Sequence, residues 1–323
     1  MKGFWKKVLS AAVFATSFST YGCNAGGAKT KMSNYDESGY EIGSKVYSES
    51  IASVEIGWHF GDLKIVETDG EISVTESGSL PEKNRVRSKI EDGKLIVKFW
   101  QSGLDDKLDR ASDKDLVVKI PAGIDEIRIV TASANVCAES FSFKMLDIAT
   151  TSGSAELGKV SAESAKIGSV SGSLRAEEVF ARDKLEVGST SGKIKIGKAE
   201  SPDISIDSIS GAVEVSSVSG CGDLEISTTS GEINAGAVRA DKAKFESISG
   251  KISAELKECD SCELSTTSGE MDLTLGIGAK VSFSSNTGSF HGEGGSTRVY
   301  GDGSCQVLAG SVTGSLSVNY TGK

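Results

Sequence analysis

The chain has 323 residues, with 45 acidic against 35 basic side chains and a formal charge of −10. That balance supplies no basic footprint for nucleic acid. With only two histidines, His59 and His291, a Cys/His or Ser/His/Asp catalytic set would have to use one of them.

The N-terminus carries Lys2, Lys6 and Lys7, then an apolar run from Val8 to Phe18, then small and polar residues up to Cys23. The run is too short for a bilayer and reads as a secretory signal over residues 1–23. Thr20-Tyr21-Gly22-Cys23 resembles a bacterial lipobox, although Thr20 stands where an aliphatic residue is usual. That resemblance implies diacylation of Cys23 and a membrane partner reached through the lipid anchor. The expected location is the outer membrane or cell surface, otherwise the periplasm. Removing the signal takes away three lysines and no acid, so the charge moves from −10 to −13.

Residues 24–48 are rich in Gly, Ser and Lys and read as a flexible tether. From 49 to 125 short alternating runs predict strands, at Ile51–Ile56, Gly61–Val66, Glu71–Val74, Lys94–Phe99 and Asp115–Pro121. Asp69-Gly70 and Asp92-Gly93 predict hairpin turns between them. This segment is expected to cap the repeats that begin after residue 125, continuous with them. Asp105, Asp106, Asp109, Asp113 and Asp115 lie close together, but Lys107, Arg110 and Lys114 are interspersed and the spacing matches no calcium loop.

Residues 126–291 repeat the phrase Ser/Thr-x-Ser/Thr-Gly. Its glycines are Gly153, Gly172, Gly192, Gly211, Gly231, Gly250, Gly269 and Gly288, spaced 19 or 20 residues apart, and Gly314 comes after a further 26. Thr131-Ala132-Ser133-Ala134 is a degenerate first copy. A fixed period of this size marks stacked units that share a core. Apolar residues recur five before, two after and four after each glycine, as in Ile226, Ile233 and Ala235 around Gly231. That alternation predicts short strands with one buried face. The fold class is therefore all-β, a single-stranded parallel β-solenoid with coils of 19–20 residues. Six positions before each glycine stand Asp147, Lys166, Glu186, Ser205, Glu225, Lys244, Glu263 and Ser282, in which like charges never adjoin. In-register stacking would make these lateral neighbours about 4.8 Å apart. The glycine marks a corner that needs positive φ or a close backbone approach. Residues 292–323 predict a C-terminal hairpin cap with a last strand at Leu316–Val318, which leaves Gly314 at the end of the stack. The Gly292–Gly303 stretch lacks the spacing of a phosphate-binding loop.

Val54-Glu55-Ile56 with Trp58, Gly61-Asp62-Leu63-Lys64-Ile65, Val118-Lys119-Ile120-Pro121 and then the reiterated Ser-Gly phrase resemble the putative-adhesin family of β-strand repeat proteins, also called toastrack. The likeness spans roughly residues 50 to 320. It implies a secreted or envelope-anchored, non-catalytic β-solenoid and supplies no catalytic residues to carry over. Ala134 in place of the first repeat glycine, and the cysteines, depart from the pattern.

Cys23, Cys137, Cys221, Cys259, Cys262 and Cys305 are the cysteines. With Cys23 acylated, five remain, so one lacks an intramolecular partner. Cys259-Asp260-Ser261-Cys262 has no following helix for thioredoxin chemistry and no second ligand pair for zinc, so a local disulfide in an exported protein is expected. Cys221 and Cys259 are expected two coils apart, too far to bridge. Asp203 with Asp207, or Glu232 with Glu270, are the carboxylates that could converge for glycosidase-type chemistry. The regular alternation of outward charges favours register over catalysis, so the expected protein is not an enzyme and takes no cofactor or metal. Its expected function is binding or structural display towards a glycan, matrix or envelope-protein ligand. A periplasmic structural or envelope-stress signalling module and a polysaccharide-active β-helix enzyme are the competing readings.

Overall fold

A computed structural model describes residues 34–103, 114–291 and 295–322. The secretory signal, Cys23, the start of the tether and the acidic loop from Asp105 to Asp113 lie outside the described residues. The described residues are all-β, with 23 strands, one short 3-10 helix at Glu82–Asn84 and no α-helix. None of their helices is long and apolar enough to cross a membrane. The chain divides into two compact units, one ending at Arg175 and one beginning at Ala176.

In the N-terminal unit parallel strands pair across one repeat. Met145–Thr150 pairs with Glu126–Thr131 on one side and with the end of Ala155–Ser169 on the other, Ile148 opposite Ile129 and Ile167. Asn135–Ser142 likewise joins Asp62–Thr68 to the start of Ala155–Ser169. The strand residues that face inward, such as Val54, Ile56, Leu63, Ile65 and Ile129, are buried. Strand order and chain order differ at the outer end of this unit. Ser53–Trp58 lies between Lys94–Lys98 and Glu126–Thr131, and Asp62–Thr68 lies between Leu116–Pro121 and Asn135–Ser142. The first coil of the chain is thus second in the stack, inserted inside the coil that comes after it in sequence.

Antiparallel strands close the exposed edges of that outer coil. Arg87–Glu91 pairs with Lys94–Lys98 through a turn at Asp92 and Gly93, both at positive φ (51° and 73°), as the hairpin expectation requires. The expectation fails at Asp69-Gly70. Asp62–Thr68 and Ile72–Glu76 do not form a hairpin, because each pairs with Leu116–Pro121, parallel and antiparallel respectively. Part of the expected tether is also structured. Glu41–Ile42 and Lys45–Tyr47 add antiparallel to Arg87–Ser88 and Ile72–Val74, and Tyr47 is buried with its hydroxyl 2.5 Å from Ser88 Oγ. An edge strand left unpaired invites association, and these short strands cover it.

The C-terminal unit repeats the same pairing with Ile194–Glu200, Asp203–Ser208, Val213–Thr228, Ile233–Ser247 and Ile252–Thr266. Its end is rearranged as well. Cys305–Ser311 pairs with Ile252–Thr266 on one side and Ala279–Ser285 on the other, while Leu316–Tyr320 pairs with Met271–Leu275. Thr297–Tyr300 then covers the outer edge of Ala279–Ser285 in antiparallel fashion. The last coil is therefore inserted, and the spatial order of turn glycines is Gly250, Gly269, Gly314, Gly288. Gly314 is interior to the stack, contrary to the position expected from sequence order. The 26-residue interval supplies the chain that passes out around Thr297–Tyr300 and back.

The turns explain the repeat phrase. None of its glycines has a positive φ, so close approach is the operative reason. A Cβ on Gly231 would sit 2.1 Å from the carbonyl oxygen of Gly211, and one on Gly250 1.8 Å from that of Gly231. In an early copy Thr150 donates to the Gly153 carbonyl, but from Gly231 onward the first Ser/Thr of the phrase accepts a hydrogen bond from the glycine N–H, at 2.9 Å for Thr228 and Gly231 and 2.8 Å for Ser247 and Gly250. The hydroxyl thereby satisfies a buried donor that the turn leaves unpaired.

Candidate interaction face

One face of the C-terminal unit carries two columns of outward side chains. Six residues before successive glycines in spatial order stand Glu186, Ser205, Glu225, Lys244, Glu263 and Leu308, each opposite the next in register. Eight residues before the same glycines stand Lys184, Asp203, Asp223, Lys242, Ser261 and Gln306, also in register. All of these residues except Glu186 line an open trough of about 570 Å³. Neighbouring rungs pair their charges, with Lys242 Nζ 3.6 Å from Asp223 and Lys244 Nζ 3.5 Å from Glu225. Lys184 Nζ lies 2.8 Å from Glu186 and 3.8 Å from Asp203, and the Glu186 hydrogen bond holds its ammonium above the usual range.

At one end the trough turns apolar. Leu308 is 62% exposed and also lines a second, serine-rich depression with Ser265, Ser282, Ser284, Ser296 and Thr297. Sequence order alone sets Ser282 beside Glu263, with Gly288 as the neighbour of Gly269. The inserted coil puts Leu308 there instead, and alignment on Gly314 is the signal that finds it. Large exposed apolar side chains that line a groove mark contact surfaces more than scattered ones do.

The candidate carboxylate pairs do not assemble into a catalytic pair. Asp207 accepts hydrogen bonds from Ser205 and Ser227, and Asp203 faces Lys184. Lys251 stands on the rung between Glu232 and Glu270 and binds Asp272. His59 is buried and stacked on Trp100, with ring centroids 5.2 Å apart. His291 is exposed, and its carbonyl accepts from Arg298. Among the described residues no group of His, Cys, Asp and Glu could hold a metal ion.

The N-terminal unit holds the most buried charge. Lys114 is 1% exposed, donates to Glu76 Oε2 at 2.9 Å and to the Asn84 carbonyl at 2.6 Å, and lies over the rings of Trp58 and Phe99. Burial pushes this ammonium down to about 8 against the pull of Glu76. Burial works to raise Glu76, yet the donors Lys114, Val86 N–H and Arg85 hold it below the ordinary carboxylate range. The partners of the pair all come from within the unit, so it reads as a structural anchor.

The thiols of Cys137, Cys221, Cys259, Cys262 and Cys305 are free in the structure. Cys259 and Cys262 lie on one extended strand, three residues and about 10 Å apart by the strand rise. No disulfide spans that distance, so the local Cys259–Cys262 bridge expected from the sequence is not made. Cys221 and Cys259 stand two rungs apart, both opposite Ala240.

The sequence profile of the family described as Toastrack DUF4097 matches residues 45–217 and, again, 194–321. No curated protein matches the chain. Among solved structures, a putative adhesin from Parabacteroides merdae is 16% identical with a TM-score of 0.43, covering 88% of this chain and 97% of its own. A putative lipid binding protein from Parabacteroides distasonis is 14% identical with a TM-score of 0.40, covering 86% and 97%. A putative adhesin from Bacteroides fragilis is 10% identical with a TM-score of 0.32, over 86% and 97%. With the two profile matches spanning nearly all of the described chain, the protein belongs to the Toastrack DUF4097 family.

Proposed function

We propose that this protein is a non-enzymatic lipoprotein of the cell envelope that uses a parallel β-solenoid as a rigid display surface. The reading rests chiefly on the trough of the C-terminal unit, where register holds two columns of Lys, Asp, Glu and Ser side chains beside an exposed Leu308. The parallel pairing of each coil with its neighbours supports the solenoid description within each unit. The carboxylates of the trough are matched by lysines on adjoining rungs, which supports binding over acid–base catalysis. The ligand class that fits is a polar polymer, a glycan or a matrix or envelope protein, which presents both charge and an apolar contact.

Protease shaving of intact cells, read by immunoblot with a Cys23→Ala control, tests this. Digestion from intact cells and loss of membrane retention in the control are the expected results. Protection until the outer barrier is broken would replace the adhesin reading with a periplasmic structural or signalling role. Release of reducing ends from a polysaccharide, abolished by one carboxylate change, would make the protein an enzyme.

A further inference from the structure

Three cysteines meet at one corner of the C-terminal unit, where the inserted last coil joins the body. Cys305 opens the inserted strand Cys305–Ser311 and is fully buried, at 0% exposure. Its neighbour strand is Ile252–Thr266, with Ser261 opposite Gln306. Extending that register by one residue sets Asp260 beside Cys305 and Cys259 on the adjacent diagonal. Strand spacing and rise then place the Cys259 and Cys305 Cα atoms about 6 Å apart, inside the range a disulfide spans. The same arithmetic separates Cys262, opposite Val307, from Cys305 by about 8 Å, outside it.

The thiols themselves agree with this. The Cys259 and Cys305 side chains are hydrogen-bonding neighbours, and the Cys259 thiol donates to the Ser261 carbonyl at 3.0 Å. Access is one-sided. Cys259 is half-buried and lines an open depression with Cys221, Arg239, Asp241, Glu258 and Asp260, whereas Cys262 is 2% exposed.

We infer that Cys259 and Cys305 are a disulfide-forming pair that pins the inserted terminal coil to the body of the stack. The co-reactant is a disulfide oxidant, a protein or a low-molecular-weight disulfide, entering from the open depression. The Cys259 thiolate attacks one oxidant sulfur, forming a mixed disulfide and expelling the first oxidant thiolate. Cys305 then loses its proton and attacks the Cys259 sulfur, expelling the second. Two thiols give up two electrons and two protons, and the oxidant disulfide becomes two thiols. Formation in the cell rests on the exported location proposed above; the site itself does not.

The full-length chain, purified reduced, is exposed to oxidised glutathione and mapped by mass spectrometry after tryptic cleavage. Cys259 and Cys262 share the peptide between Lys257 and Lys280, so the Cys262→Ala variant assigns the sulfur. The expected product joins that peptide to the one carrying Cys305, in the variant as in the parent. Reduction of the oxidised parent should lower the Tm by about 5–10 °C, since the bond closes a long loop. Native alkylation should label Cys259 well before Cys305 or Cys262. Absence of the cross-link, or a link confined to Cys259 and Cys262, would overturn the inference. A second arm traps thiols in acid in envelope fractions from cells. Free thiols there, in a protein that cross-links in vitro, would remove the export reading and leave the site standing.

Discussion

The outer ends of the two units face one physical problem and meet it with different chemistry. A stack of parallel coils ends in an exposed core and a row of unpaired backbone groups. Both units insert the coil nearest their chain terminus beneath its sequence neighbour, and both lay an antiparallel strand along the last edge. They differ in what fills the end. The N-terminal unit uses Trp58, His59, Phe60, Phe99 and Trp100 around the Lys114–Glu76 pair, with Trp58 and Phe99 centroids 4.5 Å apart. The C-terminal unit has separate ring pairs there, Phe283 with Phe290 and Tyr300 with Tyr320, in place of a five-ring cluster, and it gathers Cys259, Cys262 and Cys305 beside its inserted strand. One end is secured by bulk and buried charge, the other by backbone ladders and sulfur. Stability should therefore respond to different perturbations at the two ends.

The largest effects are expected where backbone meets backbone. Gly231→Val and Gly314→Val should each destabilise the C-terminal unit by more than about 4 kcal/mol, or prevent folding, because a Cβ would stand 2.1 Å and 1.9 Å from a carbonyl oxygen. Chemical denaturation followed by circular dichroism checks this. A mild Gly314→Val phenotype would mean that the last coil is terminal and not inserted. Gly310, four residues earlier on the same coil, offers the contrast. A Cβ there would meet no atom within 4 Å, so Gly310→Ala should be neutral or slightly stabilising.

Next in size is the N-terminal anchor. Lys114→Ala leaves Glu76 buried without its closest cation and should cost about 3–5 kcal/mol, while Lys114→Met with Glu76→Leu should recover much of that. Tryptophan fluorescence reads the change selectively, since Trp58 and Trp100 belong to this unit and no other tryptophan lies among the described residues. A smaller effect arises from pH. The Lys114 ammonium titrates near 8 in the folded chain, below its ordinary value, so between about pH 8 and 10 the unfolded chain binds more protons. Stability of the N-terminal unit should rise over that window by on the order of 1–2 kcal/mol, and the Lys114→Met, Glu76→Leu double variant should lose the rise. The smallest effect belongs to the trough of the C-terminal unit. Lys242→Ala removes an exposed pair to Asp223 and should change stability by less than about 1 kcal/mol. If the trough is a binding face, the same substitution and Leu308→Ser should weaken ligand retention far more than they weaken the fold.

How much the sequence disclosed depends on the range of the forces involved. The glycine column was legible because a local requirement, a Cβ-free corner against the next carbonyl, recurs in every coil. The inward residues were legible for the same reason, and Ile148, Ile206, Phe245 and Leu264 are all buried as their spacing predicts. Asp92-Gly93 announced its hairpin because the turn geometry is encoded in two residues. Asp69-Gly70 carries the same pair of letters, but Leu116–Pro121, more than forty residues away, takes the place between its flanking strands. The inserted coils and the structured strands at 41–47 were likewise illegible, since partner choice at an edge depends on distant segments. The trough was half legible: its column from Glu186 to Glu263 was in the repeat, while Leu308 required the true order of the last two coils.

The inserted terminal coils also bear on how the molecule is made. A ribosome delivers Ala279–Ser285 before Cys305–Ser311, yet the earlier strand finds its place only against the later one. Until the last twenty or so residues emerge, the C-terminal unit cannot close, and its penultimate coil has no neighbour to zip onto. Contacts that span this much chain form slowly and late. A prematurely ended chain would thus leave an open, protease-accessible edge, so the fold carries its own test of complete synthesis.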